Sequence, residues 1–120
     1  MRSFLLAGVA LVAAITCALA AAAGALAPKD IQATFFTGQP FTASASNVKY
    51  KMVFTPDGKM TREPIGTGGS KGEGTWKLSK DGFCSTWKGS TAANCYKVVT
   101  AGANKWSVMK GKTSVATWTK

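Results

Sequence analysis

Two cysteines, Cys84 and Cys95, stand eleven residues apart in "GFCSTWKGSTAANCY". Thiols so spaced serve as metal ligands, as a nucleophile with its neighbour, or as a covalent staple. A zinc site draws about four ligands from Cys, His and carboxylates, and this chain has no histidine and no C-x-x-C pair. A catalytic thiol wants a base, usually histidine, to activate it. Elimination leaves a disulfide. The carboxylates Asp30, Asp57, Glu63, Glu73 and Asp81 offer one more pairing, because Glu63 and Glu73 are of the type a glycosidase uses. Their surroundings in sequence supply nothing that would raise a carboxyl pKa as such an acid requires. Asp57 and Asp81 each precede a glycine, which is a turn role. A Ser-His-Asp triad is excluded outright, and no clustered Asp/Asn loop points to calcium. No catalytic residue, metal or cofactor is expected.

The glycine-rich stretch "IGTGGSKGEG", residues 65–74, fails as a nucleotide loop. A phosphate cradle needs G-x-x-x-x-G-K-[ST], and Lys71 occupies the place of the second glycine. The dinucleotide fingerprint fails as well, since lysine stands at its third glycine position. The stretch reads as a flexible connection between strands that carries a candidate contact loop, Ser70 and Lys71.

Location comes from the first segment. "MRSFLLAGVALVAAITCALAAAAGALA" opens on Arg2, runs apolar from Phe4, and ends in small residues, the layout of a secretory signal peptide. Residues 1–25 are assigned to it, with cuts after Ala23 or Ala25 as options. The rival readings are an uncleaved anchor and a lipoprotein cut at Cys17, but "AITC" lacks the leucine and small residue that precede a lipoprotein cysteine. The remaining 95 residues make one domain. They hold 14 Lys+Arg (15 less Arg2) against 5 Asp+Glu, a net charge of +9. In a periplasmic or secreted protein this balance points to an anionic envelope polymer or lipid, or to an acidic protein. Nucleic acid, the first guess for a cytosolic chain so basic, falls away on export. Export also means an oxidising compartment, where the two mature thiols close.

The elements are those of an all-β chain. "PKDIQATFFTG" reads as a short helix in a lead-in, residues 26–47, with Pro28 in the first turn, Ile31 and Phe35 on one face, and Gly38 as the C′ stop. From residue 48 to 120 the period is two. "NVKYKMVF" sets Tyr50, Met52 and Phe54 against Lys49 and Lys51. "TPDGKM" and "KDG" are turns, and "GTWKLS" sets Trp76 and Leu78 against Lys77. The cysteine strands follow, then "NKWSVM" and "TSVATW". A Gly89-Ser90 type II′ turn would place Cys84 opposite Cys95 and Phe83 opposite Tyr96, the cysteines on one face and the aromatics on the other. Closing that loop stabilises the fold by roughly 3 kcal/mol on the chain-entropy model. Regular short strands predict an antiparallel meander of about six to eight strands, curled into a bent sheet or an up-and-down barrel. Trp76, Trp87, Trp106 and Trp118 are core anchors, and of the four Trp118, whose position is least determined, is the ring expected to be most exposed.

The series "FTPDG", "GEGTWKL", "FCSTW", "NCYKV" and "NKWSV", with Thr37-Gly38 ahead of it, resembles a family of small exported proteins found mainly in alphaproteobacteria. The likeness spans about residues 30–118 and implies a periplasmic β domain with no catalytic residue to carry over. A looser similarity, in size, export and disulfide-stapled β architecture, is to periplasmic lysozyme inhibitors. The expected function is a non-enzymatic module binding an anionic envelope component through lysines on outward strand faces. The candidates are Lys49, Lys51, Lys77, Lys88, Lys97 and Lys105. The alternative is an inhibitor of an envelope hydrolase acting through Ser70 and Lys71. A basic inhibitor would, however, approach a basic lysozyme against charge repulsion.

Overall fold

A computed structural model describes residues 24–120; residues 1–23 of the expected leader lie outside them. A helix, α1 (Pro28–Phe35), precedes eight strands: β1 (Phe41–Ala45), β2 (Val48–Phe54), β3 (Lys59–Ile65), β4 (Gly72–Leu78), β5 (Phe83–Trp87), β6 (Asn94–Gly102), β7 (Lys105–Lys110) and β8 (Thr113–Thr119). Each strand pairs antiparallel with the next, and β1 pairs β8, so the sheet closes into an eight-stranded barrel. Closure removes the exposed edges that an open sheet of this length would present. Among the described residues no helix is long and apolar enough to cross a membrane.

Period-two patterning fills the barrel unevenly. Toward the end where α1 sits, inward positions carry Phe41, Phe54, Trp76, Phe83 and Trp118, all at most 8% exposed. The helix plugs this end with Ile31 and Phe35, both fully buried, and the adjoining Phe36 stacks on Phe54 at 4.6 Å. Toward the other end, inward positions on β1 and β8 hold only Ala43, Ala45 and Ala116. One half is therefore close-packed aromatic core, and the other half is lined by smaller side chains that leave a cavity.

Trp118 is a correction. Its ring is 3% exposed and lies 4.7 Å from Phe41, 4.9 Å from Phe35 and 5.5 Å from Phe83. Its face depends on the β1–β8 pairing Ala43↔Trp118, a contact between the two ends of the chain that local alternation does not reveal. The lead-in also differs from expectation: its helix forms, but Phe41–Ala45 is already a barrel strand. The small residues of "FTASA" alternate inward and outward without the bulky apolar signal of a strand. β3 was not anticipated either, because "KMTREPI" places Arg62 and Pro64 at positions where apolar residues would mark an inner face.

The disulfide forms between Cys84 and Cys95 at directly opposed positions, with Phe83 opposite Tyr96. The connecting turn is not the two-residue hairpin expected. The Ser90 N–H donates to Trp87 O at 2.9 Å, so Lys88 and Gly89 are the central residues and Gly89 takes φ 94°. That is the third position of a four-residue turn, where positive φ favours glycine. Register to β6 ends at Ser85↔Asn94, while Thr86 and Trp87 continue along β4. Residues 24–26 run beside β6, with the Leu26 N–H donating to Val98 O at 2.9 Å and the Thr100 N–H to Gly24 O at 2.7 Å.

Candidate functional site

The half of the barrel lined by smaller side chains opens at the end away from α1, among the β1–β2, β3–β4, β5–β6 and β7–β8 turns. A cavity of about 170 Å³ enters there. Its walls are Ala43, Ala45, Val108 and Ala116 with the Tyr50, Trp87 and Tyr96 rings, and Val115 joins them where a bulge shifts the β7–β8 register. A single charged side chain lines it, Arg62 of β3. The guanidinium carbon lies 5.0 Å from the Tyr50 ring centre and 4.7 Å from that of Trp87. Two cation–π contacts of about 0.5–2 kcal/mol each hold it in place.

The glycine stretch is built around this arginine. Arg62 Nε donates to Ser70 O at 3.1 Å. Gly72 is the cross-strand partner of Arg62, and a Cβ there would lie 3.1 Å from Nε and 3.3 Å from the Trp87 ring. Gly69 lies over Tyr50, where a Cβ would come within 2.7 Å of the hydroxyl. These glycines let backbone pack where side chains would collide. Among the described residues no carboxylate forms an ion pair with Arg62; the two surface bridges join Glu63 to Lys51 and Lys71. Deeper in the wall, Ser85 is a buried polar residue close to the Tyr96 phenol. Burial pushes the Tyr96 phenol up, and the Ser85 hydroxyl opposes that shift.

Arg62 also borders a second, outer depression of about 600 Å³ on the faces of β2, β3 and β4, lined by Lys51, Glu63, Lys71, Glu73 and Lys88 among others. All six candidate lysines are exposed, Lys49, Lys51 and Lys77 on the strand faces that alternation assigns to them. The fold brings Lys51 and Lys88 to this groove together with Lys71 of the contact loop, and places Lys49 two residues from Lys51 on β2. It does not bring the others there. Lys77, opposite Cys84, and Lys97, two residues past Cys95, flank the disulfide on the outer surface of β4–β6. Lys105 stands at the plugged end, beside Thr119. Ser70 and Lys71 are exposed on the β3–β4 loop, Ser70 with its carbonyl on Arg62 and Lys71 at 3.6 Å from Glu63.

Glu63 and Glu73 both face outward on this groove, and the Glu63 side chain is half exposed between two ammonium groups. A glycosidase acid is instead kept protonated by apolar surroundings. Among the described residues no group of three or more His, Cys, Asp or Glu side chains is placed to hold a metal ion. Arg62 is the site residue that sequence reasoning missed. The signal available was its spacing from Met60, which puts a lone cation on an inner face. No family model, curated protein or solved structure matches the chain.

Proposed function

We propose that this barrel is a non-enzymatic binding module of the cell envelope, periplasmic or secreted, that holds an anionic polymer or lipid surface on the groove over β2–β4. The observation that carries this reading is the convergence of Lys51, Lys71, Lys88 and Arg62 on one depression against only Glu63 and Glu73. That local excess of cations attracts anions at a range of about 10 Å in dilute buffer and is screened by salt. The net charge of +9 outside the expected leader (14 Lys+Arg less 5 Asp+Glu) acts in the same direction.

Retention of the purified protein on immobilised lipopolysaccharide or heparin, followed across a salt series, tests it. The triple variant Lys51→Ala, Lys71→Ala, Lys88→Ala is expected to elute at clearly lower salt than Lys77→Ala, Lys97→Ala, Lys105→Ala, although both lose three charges. Absence of retention at about 50 mM salt, where screening is weak, would reject the reading. Equal loss in the two variants would reject the groove as the site.

A further inference from the structure

The inner cavity is a separate matter from the outer groove. An arginine on the inner face of a small barrel is costly to desolvate unless something compensates its charge. Here the compensation from the protein is incomplete. Two aromatic faces and one backbone carbonyl engage the guanidinium, and the Ser70 hydroxyl stands at 3.5 Å from its NH2 nitrogen. By barrel topology, Asp30, Asp57 and Asp81 lie at the plugged end, while Glu63 and Glu73 point outward. Across the same open end, Lys110 at the end of β7 donates its Nζ to the neutral Asn94 Oδ1 at 2.6 Å. The mouth is thus cationic, and behind the cation lies apolar space.

We propose that this cavity binds an anionic amphiphile, with a carboxylate or phosphate head on the Arg62 guanidinium and a short apolar chain between Ala43, Ala45, Val108 and Ala116. Three features select that class. The planar guanidinium fork matches two oxygens of one oxyanion. The Tyr50 and Trp87 rings fix the plane of the fork, so little ordering cost remains for the ligand to meet. The wall beyond is built mostly of alanine, valine, methionine and phenylalanine side chains, which suits an apolar chain rather than a polar tail. A volume of 170 Å³ is about six water-sized groups at roughly 30 Å³ each. That accommodates about six carbons, so an eight-carbon chain enters it with its head and first carbons at the open mouth, and a full-length acyl tail does not fit. Eight-stranded barrels have interiors of the size that holds one small ligand.

The test titrates the purified protein with octanoate and octyl phosphate below their micellar range. Octanol serves as the uncharged chain and inorganic phosphate as the chainless anion, with calorimetry and the Trp fluorescence as readouts. Both octyl anions are expected to bind, and octanol and phosphate at least about tenfold more weakly, the factor one charge-assisted hydrogen bond supplies. Arg62→Gln removes the cation and is expected to cost a similar factor. Ala45→Leu, at the half-buried rim, fills the cavity while leaving Arg62 in place, and keeps the test decisive if Arg62→Gln does not fold. Equal binding of octanol, or unchanged binding in both variants, would overturn the proposal, as would no binding of either octyl anion. The groove variant Lys51→Ala, Lys71→Ala, Lys88→Ala separates the two sites, because it should retain octanoate binding whatever becomes of its retention on lipopolysaccharide.

Discussion

Two residues show how much a single position carries. Trp118 touches aromatic rings from α1, β1, β2 and β5, so it joins parts of the chain that share no local contact. Trp118→Ala would leave a cavity that these rings cannot collapse into. It is expected to cost about 3–5 kcal/mol, read from the denaturant midpoint at unchanged slope. Tyr96 bears on pH. Its folded-state value is raised by burial, so the folded protein keeps a phenolic proton that the unfolded chain releases near pH 10. This contribution is complete below the unfolded value and is lost as pH rises through the folded one. Unfolding measured at about pH 9 and pH 11 should show a stability decline that is shallower in Tyr96→Phe than in the wild type. An identical slope in the two proteins would remove the argument.

At the level of elements, the disulfide spans one of the two shortest ladders of the barrel, the other being β1–β8. The β5–β6 ladder has three register pairs, against five or six for β1–β2, β2–β3 and β7–β8. Its strands part early because Thr86 and Trp87 stay with β4. The covalent link across Cys84 and Cys95 compensates for the missing hydrogen bonds by restricting the unfolded chain. Reduction, or the double change Cys84→Ala and Cys95→Ala, is expected to lower stability by about 3 kcal/mol. Amide exchange along residues 94–98 should accelerate more than in β2 or β3, and uniform acceleration would mean the seam is not locally weak. The helix is an element of a different kind. It is short, and its N-cap Ala27 makes no side-chain capping bond, so packing rather than propensity keeps it formed. Phe35→Ala, which removes a fully buried ring from the plug, should cost about 3–5 kcal/mol in the same denaturation assay.

The whole molecule depends on one long-range event. β1 meets β8 through Thr42↔Thr119, Ala43↔Trp118 and Ser44↔Thr117, pairs more than seventy residues apart in the chain. Until that seam closes, Trp118 has no core to enter and both outer strands present bare edges. A chain ending before Thr113 is therefore expected to lose cooperative unfolding and near-ultraviolet circular dichroism, not merely to melt at a lower denaturant concentration. A truncated chain with a sharp transition would show that an open seven-stranded sheet suffices. Closure is also what the proposed ligand cavity requires, since an open sheet has no mouth and no interior beside Arg62.

Much was legible in the residues themselves. The absence of histidine removed whole classes of chemistry, and period-two patterning with turn residues marked an all-β chain. Directly opposed cysteines marked the bridge, and alternation set Lys49, Lys51 and Lys77 opposite the aromatic faces. These are local properties, decided within about ten residues. What required the tertiary structure was everything that depends on closure: the inward face of Trp118, the strand at Phe41–Ala45, and the position of β3. Arg62 belongs to that second group. Its charge hid its strand, and it becomes a candidate binding group only because Tyr50 and Trp87, on other strands, enclose it beside the cavity. Spacing reports which side of a strand a residue takes, but only the wrapped sheet decides what it faces across the interior.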